Sequence, residues 1–183
     1  MKDLSLHILD IMQNSLAAGA KLIDVEIAEN KTENIYTICI NDNGKGMSAH
    51  MLSKVTDPFF TTRTTRKVGL GIPLLKENAE RTGGKFEISS LQGEGTVIKA
   101  TFVMNHFDRQ PLGDIAGVIV LTAASNPAVR IKYVHSTCSG SYTFDTSEIM
   151  GVLGNTPVNN AEIISFLKEM INDNLENINY TTG

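Results

Sequence analysis

Between Leu4 and Ala18 the apolar residues Leu4, Ile8, Ile11, Met12 and Leu16 return every three or four positions, the period of one helix face. Gly19 then offers a residue suited to close that helix. Residues 22–29 and 35–42 instead alternate apolar with polar, which predicts two antiparallel strands around the polar turn NKTEN. The next stretch, residues 43–71, is rich in glycine and threonine and carries little periodicity. A connection of that length without a pattern of its own points to function. Helical spacing returns in GIPLLKENAERTGG, closed by Gly83 and Gly84, and KFEISSL and TVIKATFVM follow as strands around the turn QGEG. Helix, two strands, glycine-rich segment, helix and two strands predict an α+β layer with its helices on one face of a sheet.

The composition breaks at NHFDRQPLG, residues 105–113, which divides the chain into residues 1–104 and an extension of residues 105–183. Ile115, Val118, Ile119 and Ala123 predict a helix ended by Asn126-Pro127. RIKYVHS and SYTFDT then alternate as a hairpin. Asp145 with Glu148, and Asn159 with Glu162, have capping-box spacing. The second opens a helix through Ile163, Phe166, Leu167, Met170, Ile171 and Leu175. The extension therefore reads as a small helix-hairpin-helix unit.

With 183 residues, 42% of them apolar, the chain can bury a real core. A net charge of −4, with one short basic cluster around Arg63 to Lys67, argues against nucleic acid as a partner. Cys39 and Cys138 lie far apart without metal-ligand spacing, which suits reduced thiols and a cytoplasmic location. No leader pattern opens the chain, and IAGVIVLTAA is too short for a membrane span and reads as core.

Several short motifs carry chemistry. Asp10 and Asn14, four residues apart, project from one helix face. An amide oxygen is a hard neutral ligand suited to Mg²⁺, and a nearby carboxylate can orient or deprotonate a nucleophile. Taken alone, the pair equally suits an exposed helix surface. In NDNGKGM, Asp42 ends a strand and Gly44 and Gly46 let the backbone turn beside a ligand, although Asp-Asn-Gly is also an ordinary tight turn. DPFFTTR places Phe59 and Phe60 before Thr61, Thr62 and Arg63, while Gly69, Leu70 and Gly71 open a helix whose first amides can receive an anion. His7, three residues before Asp10, reads as a surface histidine within reach of that carboxylate.

The order of Asn14, DNGKGM, FFTT, GLG and GEGT over residues 4–103 resembles the ATP-binding signature of the GHKL superfamily. That group includes histidine kinase catalytic domains, anti-sigma-factor kinases, type II topoisomerase subunits, heat-shock chaperones and mismatch-repair ATPases. The second half of the match is most similar to a histidine kinase, and QNSLAAGAKLIDVEI to a mismatch-repair ATPase. The resemblance implies a two-layer α/β sandwich of the Bergerat type that binds ATP and Mg²⁺. It assigns Mg²⁺ to Asn14, and the adenine amine to Asp42 with Gly44, Gly46 and Met47 beside the base. Phe60, Thr61, Thr62 and Arg63 would start a lid, Gly69, Leu70 and Gly71 would close on phosphates, and Thr96 would sit near adenine. Asp10 falls where the hydrolysing members carry a glutamate, one methylene longer. The function implied is phosphoryl transfer to a separate partner protein, since only a few residues precede the first helix where a kinase would carry its phosphoacceptor hairpin. The alternative is an ATP-gated switch or slow ATPase. The extension would supply a partner or homodimer surface.

Overall fold

The computed structural model describes residues 2–57, 70–154 and 156–181. Its helices are α1 (Leu4–Ala17), α2 (Ala49–Lys54), α3 (Gly71–Arg81), α4 (Ile115–Ser125), α5 (Thr146–Leu153) and α6 (Ala161–Asn177). Its strands are β1 (Leu22–Asn30), β2 (Ile35–Asp42), β3 (Phe86–Leu91), β4 (Gly95–Val103), β5 (Arg130–Thr137) and β6 (Gly140–Asp145). The strands form a single sheet in the order β3-β4-β2-β1-β5-β6, and β1 with β5 is its one parallel pair.

Alternation decides which face is covered. Ile23, Val25 and Ile27 of β1 share a face with Ile38 and Ile40 of β2, Ile98 and Ala100 of β4, and Ile131 and Tyr133 of β5, all buried. Helices α3, α1, α4 and α6 lie side by side in that order against this face. Between them, Leu4, Ile8, Met12, Leu75, Ile119, Leu167 and Ile171 complete one continuous core. The opposite face carries Asp24, Glu26, Thr37, Cys39 and Lys99, none of them buried. This is the α+β two-layer arrangement expected from the pattern. The hairpin of β5 and β6 is not a separate layer but continues the same sheet beyond β1.

Two local readings change. A short helix, α2, occupies part of the patternless stretch; Ser48 caps it by accepting from Met51 N–H, and it buries no residue that could have signalled it. The cap of α6 is Asn160, which accepts from the Glu162 and Ile163 amides, rather than Asn159. Among the described residues no helix is long and apolar enough to cross a membrane.

Candidate functional site

Asp42 is the last residue of β2, at the sheet end nearest the C-terminal half of α1. Its side chain is buried and held on both oxygens. Ser15 Oγ on α1 donates to Oδ2 at 2.6 Å, and the Gly44 amide donates to Oδ1 at 2.8 Å. Asn43 points the other way and accepts from the Lys21 and Leu22 amides at 2.8 and 2.9 Å, which locks the turn to the start of β1. An aspartate whose two oxygens are fixed by neutral donors keeps lone pairs for one more donor in a set direction.

Thr96 lies directly across from Asp42 in the β2–β4 ladder and points to the same face. Its hydroxyl is 2.9 Å from Ser90 Oγ, which also accepts from the Met47 amide at 2.8 Å. Gly46, at φ +63°, passes so close to the Leu91 carbonyl that a side chain there would overlap it. Asp42, Gly44, Gly46, Met47 and Thr96 therefore form one floor at the edge of the helix layer.

The second half of the site lies along α1. Asn14 is half-buried, one turn beyond Asp10, which is buried. The Asp10 carboxylate abuts Gly71, the first residue of α3, and only a residue without a side chain fits there. Leu70, at the N-cap, is exposed and its side chain makes no cap hydrogen bond, and the positive end of the α3 dipole lies beside the Asp10 carboxylate. The structure groups Asp42, Gly44, Gly46, Met47 and Thr96 at one sheet end and sets Asp10 against Gly71, beside Leu70, with α1 running between the two groups through Asn14 and Ser15. Phe60, Thr61, Thr62, Arg63 and Gly69, with Phe59, Arg66 and Lys67, lie outside the described residues.

Ser15 was missed by the sequence reading. It adjoins Asn14, and the signal would have been a small hydroxyl on the face that meets a strand-ending aspartate. His7 is a correction. It is buried at 1% exposure, hydrogen-bonds Gln110 rather than Asp10, and lies against Asn78. Burial lowers its pKa, partly offset by hydrogen bonding to Gln110 and to the Gly71 backbone.

Residues 2–106 match the family model described as histidine kinase-, DNA gyrase B-, and HSP90-like ATPase. The chain belongs to that family of ATP-binding domains. Similar relatives include the sensor histidine kinase ZraS of Escherichia coli O157:H7, 26% identical over 106 residues, a match spanning 58% of this chain and 23% of that protein. The sensor protein kinase WalK of Staphylococcus haemolyticus is 33% identical over 88 residues, or 45% of this chain and 14% of its own length. The match thus spans under a quarter of either relative. Among solved structures, the N-terminal domain of a DNA repair protein superposes with a TM-score of 0.57 at 16% identity, covering 78% of this chain and 52% of that one. That covers more of the chain than residues 2–106, so part of the extension shares in the common fold.

Proposed function

We propose that the chain binds Mg-ATP between the Asp42 floor and the α1–α3 edge, and transfers the γ-phosphoryl group to a separate protein. The observation that carries this reading is the buried Asp42 carboxylate, braced by Ser15 and Gly44, on the same floor as Thr96 and beside the helix that bears Asn14 and Asp10. A carboxylate in that state accepts from an exocyclic amine and refuses a carbonyl, which selects adenine over guanine. The α3 N-terminus and Gly71 serve the phosphate end. Mg²⁺ prefers hard oxygen ligands and keeps several waters. The residues fit it, because Asn14 offers a neutral amide oxygen at the half-open rim of the site and phosphate oxygens would complete the shell. When bound, the ion supplies charge neutralisation at the phosphates; the chain's own residues orient the base and hold the triphosphate in line.

The partner-protein assignment draws on the kinase-like second half of the family match and on the sensor kinases among the relatives. The test is calorimetric titration with a non-hydrolysable ATP analogue, with and without Mg²⁺, on the wild type and on Asn14→Ala and Asp42→Asn. Magnesium-dependent binding that both substitutions weaken is expected, and labelled ATP should then leave phosphate on a protein rather than only in solution. No binding by the wild type would sink the reading.

A second reading, an ATP-gated switch or slow ATPase, is favoured by the burial of Asp10 against the start of α3. A carboxylate held there can orient a water at the γ-phosphate end. Nucleotide-dependent protection from proteolysis, with phosphate released only to water, would select it. In either case we assign the partner or homodimer surface to residues 105–183, whose β6 ends the sheet.

A further inference from the structure

His7 is 1% exposed and stands where three pieces of chain meet. Its Nε2 donates to Gln110 Oε1 at 3.0 Å, in the segment between β4 and α4; Asn78 Nδ2 on α3 lies against the same atom at 3.4 Å as a contact, because a nitrogen that donates its proton has no lone pair left to accept. Asn78 is itself held, accepting at Oδ1 from Arg81 Nη2 at 2.9 Å. His7 Nδ1 is buried without a hydrogen bond of ordinary geometry, although the Gly71 backbone of α3 also acts on the ring. A buried polar ring with one nitrogen so poorly satisfied costs stability, so an aliphatic side chain would serve simple packing better.

The segment that carries Gln110 also grips the start of α1. The Leu4 amide donates to the Pro111 carbonyl at 2.9 Å, and the Ser5 amide to the Leu112 carbonyl at 2.8 Å. One contact leaves a pair of helices free to pivot, whereas two contacts at different heights fix the angle between them. The α1–α3 pair has both. His7 meets Asn78 at one height, and at the other Asp10, three residues on and on the same face of α1, meets Gly71, two turns before Asn78 on α3.

We propose that His7 is a positioning residue of the nucleotide site: by hydrogen-bonding Gln110 while its ring is packed against Asn78 of α3, it sets the spacing at which the Asp10 carboxylate faces the first turn of α3. This rests on the nucleotide reading above. A directional hydrogen bond does what an apolar contact does not: the bond to Gln110 resists sliding of α1 along the segment that grips its start, and so keeps the ring seated against Asn78 of α3. The effect is local to the phosphate end. The adenine floor is anchored separately, through Ser15, Asp42 and Thr96, two turns further along α1 and at the sheet end.

The test compares a non-hydrolysable ATP analogue with ADP, both with Mg²⁺, on the full chain as wild type, His7→Ala and His7→Gln, with thermal unfolding measured in parallel. Misplacement of a reacting group by about 1 Å commonly costs orders of magnitude, and about a tenfold loss of triphosphate affinity is expected for His7→Ala, with ADP affinity within about twofold of wild type. His7→Gln keeps a donor and an acceptor on a similar reach and should recover most of the loss. If His7→Ala fails to fold, His7→Leu, closer in volume and without polar atoms, takes its place with the same expectation. Equal loss for both nucleotides, no loss for either, or a glutamine variant as weak as alanine would overturn the positioning role while leaving the nucleotide reading intact. A wild type that binds neither nucleotide overturns both.

Discussion

The Asp10 carboxylate lies against the Cα of Gly71, so close that a methyl group built on Gly71 would overlap Oδ2. Alanine is a better helix former than glycine by about 1 kcal/mol, which alone would make Gly71→Ala stabilising. Overpacking a filled site costs about 1–3 kcal/mol, and here it wins because the displaced group is a buried carboxylate. Gly71→Ala is expected to lower the melting temperature and to weaken binding of an ATP analogue by about tenfold or more. In an Asp10→Ala background the nearest carboxylate atoms are gone and only Asp10 Cβ at 3.0 Å remains, so the stability cost of Gly71→Ala should shrink. Thermal unfolding of the four chains of that cycle decides it; additive effects would show that the two residues do not meet.

Ser15 braces Asp42 through one hydrogen bond, at 2.6 Å, and the carboxylate keeps its second tie to the Gly44 amide. Ser15→Ala should therefore cost about 1–3 kcal/mol, the range for leaving a buried acceptor one donor short. Nucleotide affinity should fall by a few-fold, because Asp42 loses orientation but not charge. Asp42→Asn removes the charge-assisted bond itself and should weaken adenine nucleotides by well over tenfold. Calorimetry on both variants gives the ranking, and Ser15→Ala weaker than Asp42→Asn would contradict it.

Strands β1, β2 and β4 and helices α1, α3 and α6 were legible because each buries one face and so prints its period in the chain, whereas α4 is buried nearly all round and was legible as an apolar run. Asp42, Gly44, Gly46 and Thr96 were legible as a motif, although their convergence depends on the β2–β4 register, which no local pattern records. Alternation marked β5 as a strand but could not name its neighbour; its parallel pairing with β1 joins residues about a hundred positions apart. His7 misled for the same reason. Its partner Gln110 and its neighbour Asn78 lie 103 and 71 residues away, so a polar residue beside Leu6 in a helix read as surface. Helix α2 left no trace because it buries nothing.

That long-range pairing has a consequence for truncation. A chain ending at residue 104 would leave the length of β1 unpaired on one side. It would also uncover the core side chains now closed by Ile119, Ile131, Tyr133, Leu167 and Ile171. Such a fragment is expected to aggregate or to lose its cooperative thermal transition, even though it contains every residue of the candidate site. A soluble fragment with a sharp transition and wild-type nucleotide affinity would show the two segments to be independent.

At the sheet end opposite Asp42, Glu29 of β1 is buried and its Oε1 lies 2.7 Å from His135 Nε2 on β5. Both carboxylate oxygens accept from the Thr181 amide, at 2.9 and 3.0 Å, which fastens the segment after α6 across the sheet. Tyr133 Oη, 2.7 Å from His135 Nδ1, completes the chain of bonds. Burial is the largest single influence on Glu29 and works against its charge, but the hydrogen bonds from His135 and Thr181 together outweigh it and hold its pKa below the ordinary value of 4.5. A carboxyl group with a depressed folded pKa stabilises the fold fully above its unfolded pKa, and that contribution is lost as pH falls through the folded value. Stability should thus hold from neutral pH to about 4.5 as far as Glu29 is concerned, then fall, with Thr181 losing its amide protection before the core strands do. Glu29→Gln keeps an oxygen for Thr181 but has no charge to lose. It should be less stable at neutral pH by about 1–3 kcal/mol and show a flatter acid limb. Melting curves from pH 7 to pH 3, with amide exchange read at Thr181, test this directly, and superimposable acid limbs for the two chains would show that Glu29 is not the group that titrates.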